Sequence, residues 1–321
     1  MSRTIHWLLV TVFFVLVIVG LSSEKVFAQP KKIGILLWSD EARYTESTQA
    51  MLEQLKKDGF SDLEIKAESA GANKAIAVRL AQNFAAQKMD LFVGVGTNAV
   101  AALSKEISDI PIVFNVVYDP VEEGFVANWN HSKNNLTGVS NLLPMNEIIQ
   151  RLKTFIPLKN LAVLYTPGQK NSESQLLDLQ DIQKQCSFVV IPVPLSSEDD
   201  AVSVISLLKG KADAIFLTGS GFVGNSVGPI LNEAIKEKLV PVSHLSDYVK
   251  KGLLLAAGAD MKELGQLTAQ KVEAILNGEL PTEIPIGTPQ KIQIYLNLRT
   301  AKTLGVIFPD ALKKEAIKID E

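Results

Sequence analysis

A chain of 321 residues, 47% of them hydrophobic and with a net charge of −3, is long enough for two cored domains and carries no basic block. Nucleic acid and anionic membrane surfaces are therefore poor partners for it. Cys186 is the only cysteine and falls in a stretch that reads as helix, so no internal disulfide forms and a buried packing role is the simpler one.

Arg3 opens the chain, an almost wholly apolar run follows from Trp7 to Leu21, and Val26-Phe27-Ala28 places small residues at −3 and −1 of a cleavage site before Gln29. About fifteen apolar residues at about 1.5 Å each reach roughly 22 Å, short of the ~30 Å hydrocarbon core. Residues 1–28 are thus expected to be a removed export signal rather than a membrane anchor. No cysteine follows the apolar run to carry a lipid. The remainder is expected free in a periplasm of the Gram-negative type, as a monomer.

Beyond residue 30 the pattern is strand then helix, repeated. Strands are expected at 32–38, 63–68, 90–96 and 111–117, and helices at 42–57, from an Asn73 cap through 87, and at 98–106. The 111–117 run, with Pro111 before it and Asp119-Pro120 after it, reads as a strand buried on both faces, hence parallel and central. The order returns with strands at 161–165, 188–193, 212–218 and 240–244 and helices at 172–185, 198–209 and 225–238. A strand at 253–257, a helix at 261–276 and a last strand at 291–296 complete the reading.

Two α/β lobes of similar topology follow, each with a Rossmann-like parallel sheet built of right-handed βαβ units. Chain crossings near 138–142, 254–258 and 287–291 would make a multi-strand hinge. The first lobe is then 30–139 plus 257–288, and the second 140–256 plus 289–321. Lobes joined in this way can close on a ligand between them.

Catalytic signals are few. His131 and His244, the histidines beyond residue 28, have no ligand-spaced neighbours, so no metal site is expected, and no Gly-x-Ser-x-Gly elbow is present. Gly219-Ser220-Gly221-Phe222-Val223-Gly224 does fit the dinucleotide fingerprint, between a strand and a helix. It lies in the third βα turn of its lobe, however, where such a fingerprint belongs in the first. Glycines that let the backbone approach a ligand are the alternative. No cofactor and no enzymatic activity are expected.

Ligands of open α/β sheets sit just beyond the carboxyl ends of the strands. Those ends carry Trp38, Thr97, Asn98, Tyr118 and Asp119 in the first lobe, and Asn171, Ser172, Ser220 and His244 in the second. Hydrogen-bonding groups from both sides plus two aromatics suit a small polar molecule with an apolar or planar part. Each residue also has a plainer use: Ser, Thr and Asn as helix caps, Trp38 as core, Asp119 before proline as a turn.

Several segments, in order and spacing, resemble the ABC-transporter substrate-binding family whose better-known members take up tryptophan and related amino acids. They are Ile33-Gly34-Ile35-Leu36 with Trp38, Ile110 to Phe114 with Asp119-Pro120, Asn135 to Ser140, Leu164 to Gly168 with Asn171-Ser172, Glu263-Leu264-Gly265, and Tyr295 to Asn297 with Ala301 to Gly305. The resemblance covers nearly all of 31–310. It implies a type I periplasmic-binding-protein fold and delivery of an amino acid or related compound to a membrane permease driven by a cytoplasmic ATPase. Trp38, Thr97, Asp119, Asn171 and Ser172 match the family's cleft positions.

Two places depart from that pattern. Gly219-Ser220-Gly221 stands where relatives commonly have Thr-Asp-Asn, and Ser243-His244-Leu245 where they often have Ser-Glu-Glu. Both changes remove carboxylates that could face a ligand ammonium. The expected ligand is then not an ordinary aromatic amino acid, or its amino group leans on Asp119 alone. The alternatives to transport are a sensory partner of a membrane receptor and a periplasmic enzyme using a nucleotide at 219–224.

Overall fold

The computed structural model describes residues 30–197 and 200–320; the expected export signal and its cleavage after Ala28 lie outside them. Strand β4 (Ile112–Val117) is buried at every position, as its apolar run requires. It belongs to a five-stranded, all-parallel sheet with β1 (Lys32–Leu37), β2 (Glu64–Ser69), β3 (Leu91–Val95) and β5 (Leu136–Ser140), in the order β2-β1-β3-β4-β5. Helices α1 (Ala42–Lys57), α2 (Lys74–Ala85) and α3 (Thr97–Glu106) connect the strands. Asn73 caps α2, its side chain accepting from the Ala75 and Ile76 N–H groups, a contribution of about 1 kcal/mol. Ile33, Ile35, Phe92 and Phe114 are fully buried in this core, each worth about 1.5–3 kcal/mol.

The second sheet has seven strands in the order β12-β11-β10-β9-β8-β6-β7. They are β6 (Asn160–Tyr165), β7 (Val189–Pro194), β8 (Ala214–Leu217), β9 (Val240–Ser243), β10 (Leu255–Ala259), β11 (Ile292–Asn297) and β12 (Ile317–Ile319); β11 is antiparallel to β10 and β12 parallel to β11, so these two run against the other five. Its two faces feed separate cores, by the two-residue period of a strand. Leu161, Val163, Ala214 and Phe216 enter one, and Ala162, Leu164, Ile215 and Leu217 the other.

The chain passes between the sheets three times. After β5 it enters α4 (Asn146–Lys153), whose Ile148, Ile149 and Leu152 bury in the second lobe. After β10 it returns as α9 (Met261–Leu276), which packs along α1 and puts Ala269 and Val272 into the first core. Gly265 permits that packing, since a Cβ there would lie 2.3 Å from the Ser47 carbonyl oxygen. The following segment runs beside β5, with Gly287 bridging Val139 and the Thr137 hydroxyl donating to the Ile284 carbonyl. It then re-enters the second sheet as β11.

Several elements differ from expectation. Leu136–Ser140 is a full strand and not only a crossing, because its side chains are buried beside β4. The helix expected over 225–238 is two, α7 (Gly221–Asn225) and α8 (Val227–Lys236), broken at Ser226. The helix expected from 198 is seen as α6 (Asp200–Ser206), and that from 172 begins earlier, as α5 (Lys170–Ile182). The strand ending at Asn297 is not the last: α10 (Leu298–Leu304), α11 (Asp310–Glu315) and the three-residue β12 follow.

Candidate functional site

Because both sheets are parallel apart from the reversed pair β11 and β12, and βαβ connections return each of the other strands in the same direction, their carboxyl ends collect on one side of each lobe. Between them lies a cavity of about 470 Å³, within the usual range for small-molecule sites. The first lobe supplies Trp38 to Glu41 after β1, Arg43 and Tyr44 from α1, Thr97 and Asn98 at the start of α3, Val116 from β4 and Tyr118 just after it. The second supplies Gln169, Asn171 and Gln175 around α5, the 219–221 turn, and His244 after β9.

Seven of the residues expected from the strand ends therefore line one cavity: Trp38, Thr97, Asn98, Tyr118, Asn171, Ser220 and His244. Asp119 and Ser172 do not line it. The Asp119 carboxylate accepts from the Val121 and Glu122 N–H groups at 2.9 and 3.0 Å; the Asp-Pro pair makes a turn, and the turn uses the carboxylate. Ser172 is fully buried. Its hydroxyl accepts from the Thr166 N–H and meets the Thr218 hydroxyl, so it ties the tips of β6 and β8 together.

The lining residues are held by the fold. Gly96, at φ +92°, turns the chain from β3 directly into α3, so that Thr97 and Asn98 open the helix at the cavity. Ser220 caps α7, accepting from Val223 N–H and from the Thr166 hydroxyl. Asn171 donates to the Gly219 carbonyl at 2.8 Å. The N–H groups of Gly219 and Gly221 donate to the side chains of Gln175 and Gln169. The glycine turn thus spends those donors on glutamines, which weighs against a phosphate cradle.

Tyr118 donates to Asp178 of α5 at 2.5 Å. Burial raises the pKa of both groups, and Asp178 raises that of Tyr118 further. The His244 ring stacks on Phe216 and meets Tyr118 edge-on, with centroids 6.1 and 5.6 Å apart. Burial, and then the positive charge of Arg43, push its pKa down to about 3, so the imidazole is neutral at pH 7. His244 Nδ1 and Asn141 Oδ1 are buried with no hydrogen-bond partner among the described residues, and both residues line the cavity.

Glu41, Arg43, Val116, Gln169 and Gln175 are cavity residues that strand-end reasoning missed. Glu41 and Arg43 follow the tip of β1 within one helical turn, and that proximity was the available signal. Val116 has φ +53°, where β4 and β5 slip register between Phe114 and Val117. A β-branched residue in the left-handed region is strained, and such strain gathers at ligand sites.

Relatives of the chain carry the same architecture. A tyrosine-binding protein of Clostridioides difficile is 26% identical over 296 residues, covering 91% of this chain and 86% of its own. The ABC domain in complex with L-Trp from Streptococcus pneumoniae superposes with a TM-score of 0.84 at 21% identity, covering 90% of this chain and 99% of that one. A substrate binding protein with adhesive properties from Clostridium difficile, in its ligand-free, open structure, gives 0.74 at 27% identity over 90% and 99%. The fold is that of type I periplasmic binding proteins. With residues 32–320 matching the family described as ABC transporter substrate binding protein, the chain belongs to that family.

Proposed function

We propose that this protein is the solute receptor of an ABC importer, binding an amino acid between its lobes and presenting the closed form to a membrane permease driven by a cytoplasmic ATPase. The observation that carries this reading is the convergence of strand tips from both lobes on one cavity walled by Trp38, Tyr118 and His244 and edged by Thr97, Asn98, Asn171 and Ser220. Aromatic faces suit a planar side chain, and uncharged donors and acceptors suit the α-amino and α-carboxyl groups. Against the expectation drawn from the missing carboxylates at 219–221 and 243–245, the tyrosine-binding relative and the L-Trp complex support these two amino acids as the first ligands to test.

The ammonium group need not lean on Asp119, whose carboxylate belongs to its own turn. Asp40 lines the cavity and is the better acceptor. In this reading the protein works in the periplasm as a monomer, without cofactor, catalysis or nucleic acid. The lobes comprise 30–139 with 257–288 and 140–256 with 289–321; the pairing of Ser140 with Val117 in the first sheet and of β10 through Ala259 in the second supports moving those two boundaries to 140 and 259. A ligand touching both lobes stabilises the arrangement in which both sets of contacts are made.

A thermal-shift screen of amino acids, purines, sugars and carboxylates tests the assignment. A ligand at a hundredfold over its Kd adds about 2.7 kcal/mol of stability. Tyrosine or tryptophan should give that shift; a shift from sugars or purines alone would overturn the amino-acid reading.

A further inference from the structure

Among the described residues, Arg43 is the one lining residue with an ion pair that reaches across the seam between the lobes. It stands on α1 of the first lobe, and its side chain is only 8% exposed. One guanidinium nitrogen donates to Glu41 Oε2 at 2.5 Å, within the same lobe. The other donates to Asp247 Oδ2 at 2.5 Å, in the 3-10 turn Ser246–Lys251 of the second lobe. Asp247 is equally buried. The guanidinium also lies 4.6 Å from the ring centre of Tyr44 and 5.9 Å from that of Tyr248, one ring from each lobe.

Such a contact exists only while the lobes are together. When they part, Arg43 keeps Glu41, two residues away, and Asp247 returns to water. Burial works against the Arg43 charge, and the Asp247 and Glu41 carboxylates beside it outweigh that penalty and hold it charged. Removing one partner of a buried pair leaves the other charge uncompensated, which costs far more than the pair's net worth.

The glycine-rich 219–224 stretch also meets this cluster. A Cβ on Gly224 would lie 3.4 Å from Tyr248 Oη and 3.8 Å from Glu41 Oε1. Helix α7 thus passes against the cluster: a methyl group at 224 would make ordinary contacts there, and a longer side chain would press on Tyr248 and Glu41.

We propose that Arg43 and Asp247 form a clasp across the cleft that sets the balance between its open and closed arrangements, with Gly224 packed at its edge. Arg43 is then a positioning residue and not the receptor of a ligand carboxylate, since Glu41 and Asp247 already engage both of its terminal nitrogens. This rests on the reading that the lobes close around a solute. The apparent affinity of such a receptor scales with the fraction of molecules able to close.

The test measures lobe separation directly. Spin labels at Gln82→Cys and Lys211→Cys, in a Cys186→Ser background, report the distance between lobes without added ligand, and calorimetry reports L-tyrosine and L-tryptophan binding. Asp247→Asn is expected to move the distance distribution toward longer separations and to weaken binding about tenfold, while Asp247→Glu retains most of both. Gly224→Leu should open the lobes from the other side of the clasp, with no change of charge. A distribution unchanged by Asp247→Asn and by Gly224→Leu overturns the clasp. If the wild-type protein binds neither amino acid, the ligand assignment fails by itself, and the distances still decide the clasp.

Discussion

His244 gives the most quantitative prediction. Its imidazole is buried between Phe216 and Tyr118, and its folded pKa of about 3 lies below the ordinary value of 6.5. The unfolded chain therefore binds a proton there that the folded chain does not. The resulting stability is fully present above about pH 6.5 and is lost as pH falls toward 3. Each pKa unit is worth about 1.4 kcal/mol, so the loss from this group is about 2 kcal/mol at pH 5 and grows to about 5 kcal/mol near pH 3. Glu123 and Glu273, whose carboxyl pKa values burial raises to about 7, act in the opposite direction between pH 7 and 4.5. The comparison must therefore isolate one residue. His244→Phe keeps an aromatic ring against Phe216 and removes the titration. Urea unfolding of both proteins at pH 7.5 and pH 5.0 should show the wild type losing about 2 kcal/mol more than the variant between the two conditions. Parallel losses would mean that the imidazole protonates in the folded protein, and that the enclosed aromatic wall is wrong.

Asp119→Ala removes the acceptor for two turn N–H groups and should cost about 1–2 kcal/mol of stability, while binding of a cavity ligand stays within about threefold; calorimetry and a melting curve together check it. Gly265→Ala drives a methyl group into the Ser47 carbonyl where α1 and α9 cross. It should lower the urea midpoint by the equivalent of about 1–3 kcal/mol, and an unchanged midpoint would show that the helices do not pack this closely. The pKa of Glu123 is raised chiefly by burial, so its contribution is greatest below about pH 4.5 and declines as pH rises through 7. Glu123→Gln should flatten the fall of stability between pH 6 and 8, measured by melting across that range.

Much of the fold could be read from periodicity. Helices at 42–57 and 261–276 have apolar faces long enough to fix both ends, and the run at 112–117 is buried on both faces, as an uninterrupted apolar strand must be. What escaped were elements with weak local signals. Leu136–Ser140 carries a threonine, a glycine and a serine in five residues, and only its burial beside β4 makes it a strand. Ile317–Ile319 alternates with a lysine at an exposed edge and takes its form from pairing with β11.

The site was legible for the same reason, and to the same extent. Parallel sheets bring strand tips together, so listing the tips found Trp38, Thr97, Asn98, Tyr118, Asn171, Ser220 and His244. Strand position does not say which way a side chain turns. Asp119 and Ser172 have the right location, but nearby N–H and O–H groups claim them. Arg43 and Asp247 are 204 positions apart, and no local pattern joins them.

The central claim is that an amino acid sits among the strand tips of both lobes. A crystal structure of the protein grown with L-tyrosine or L-tryptophan tests it most directly. Ring atoms of the ligand should lie against Trp38, Tyr118 or His244, with its polar end toward Thr97, Asn98 and Asn171. Density for the ligand elsewhere, or a cavity holding some other solute carried through purification, would contradict it.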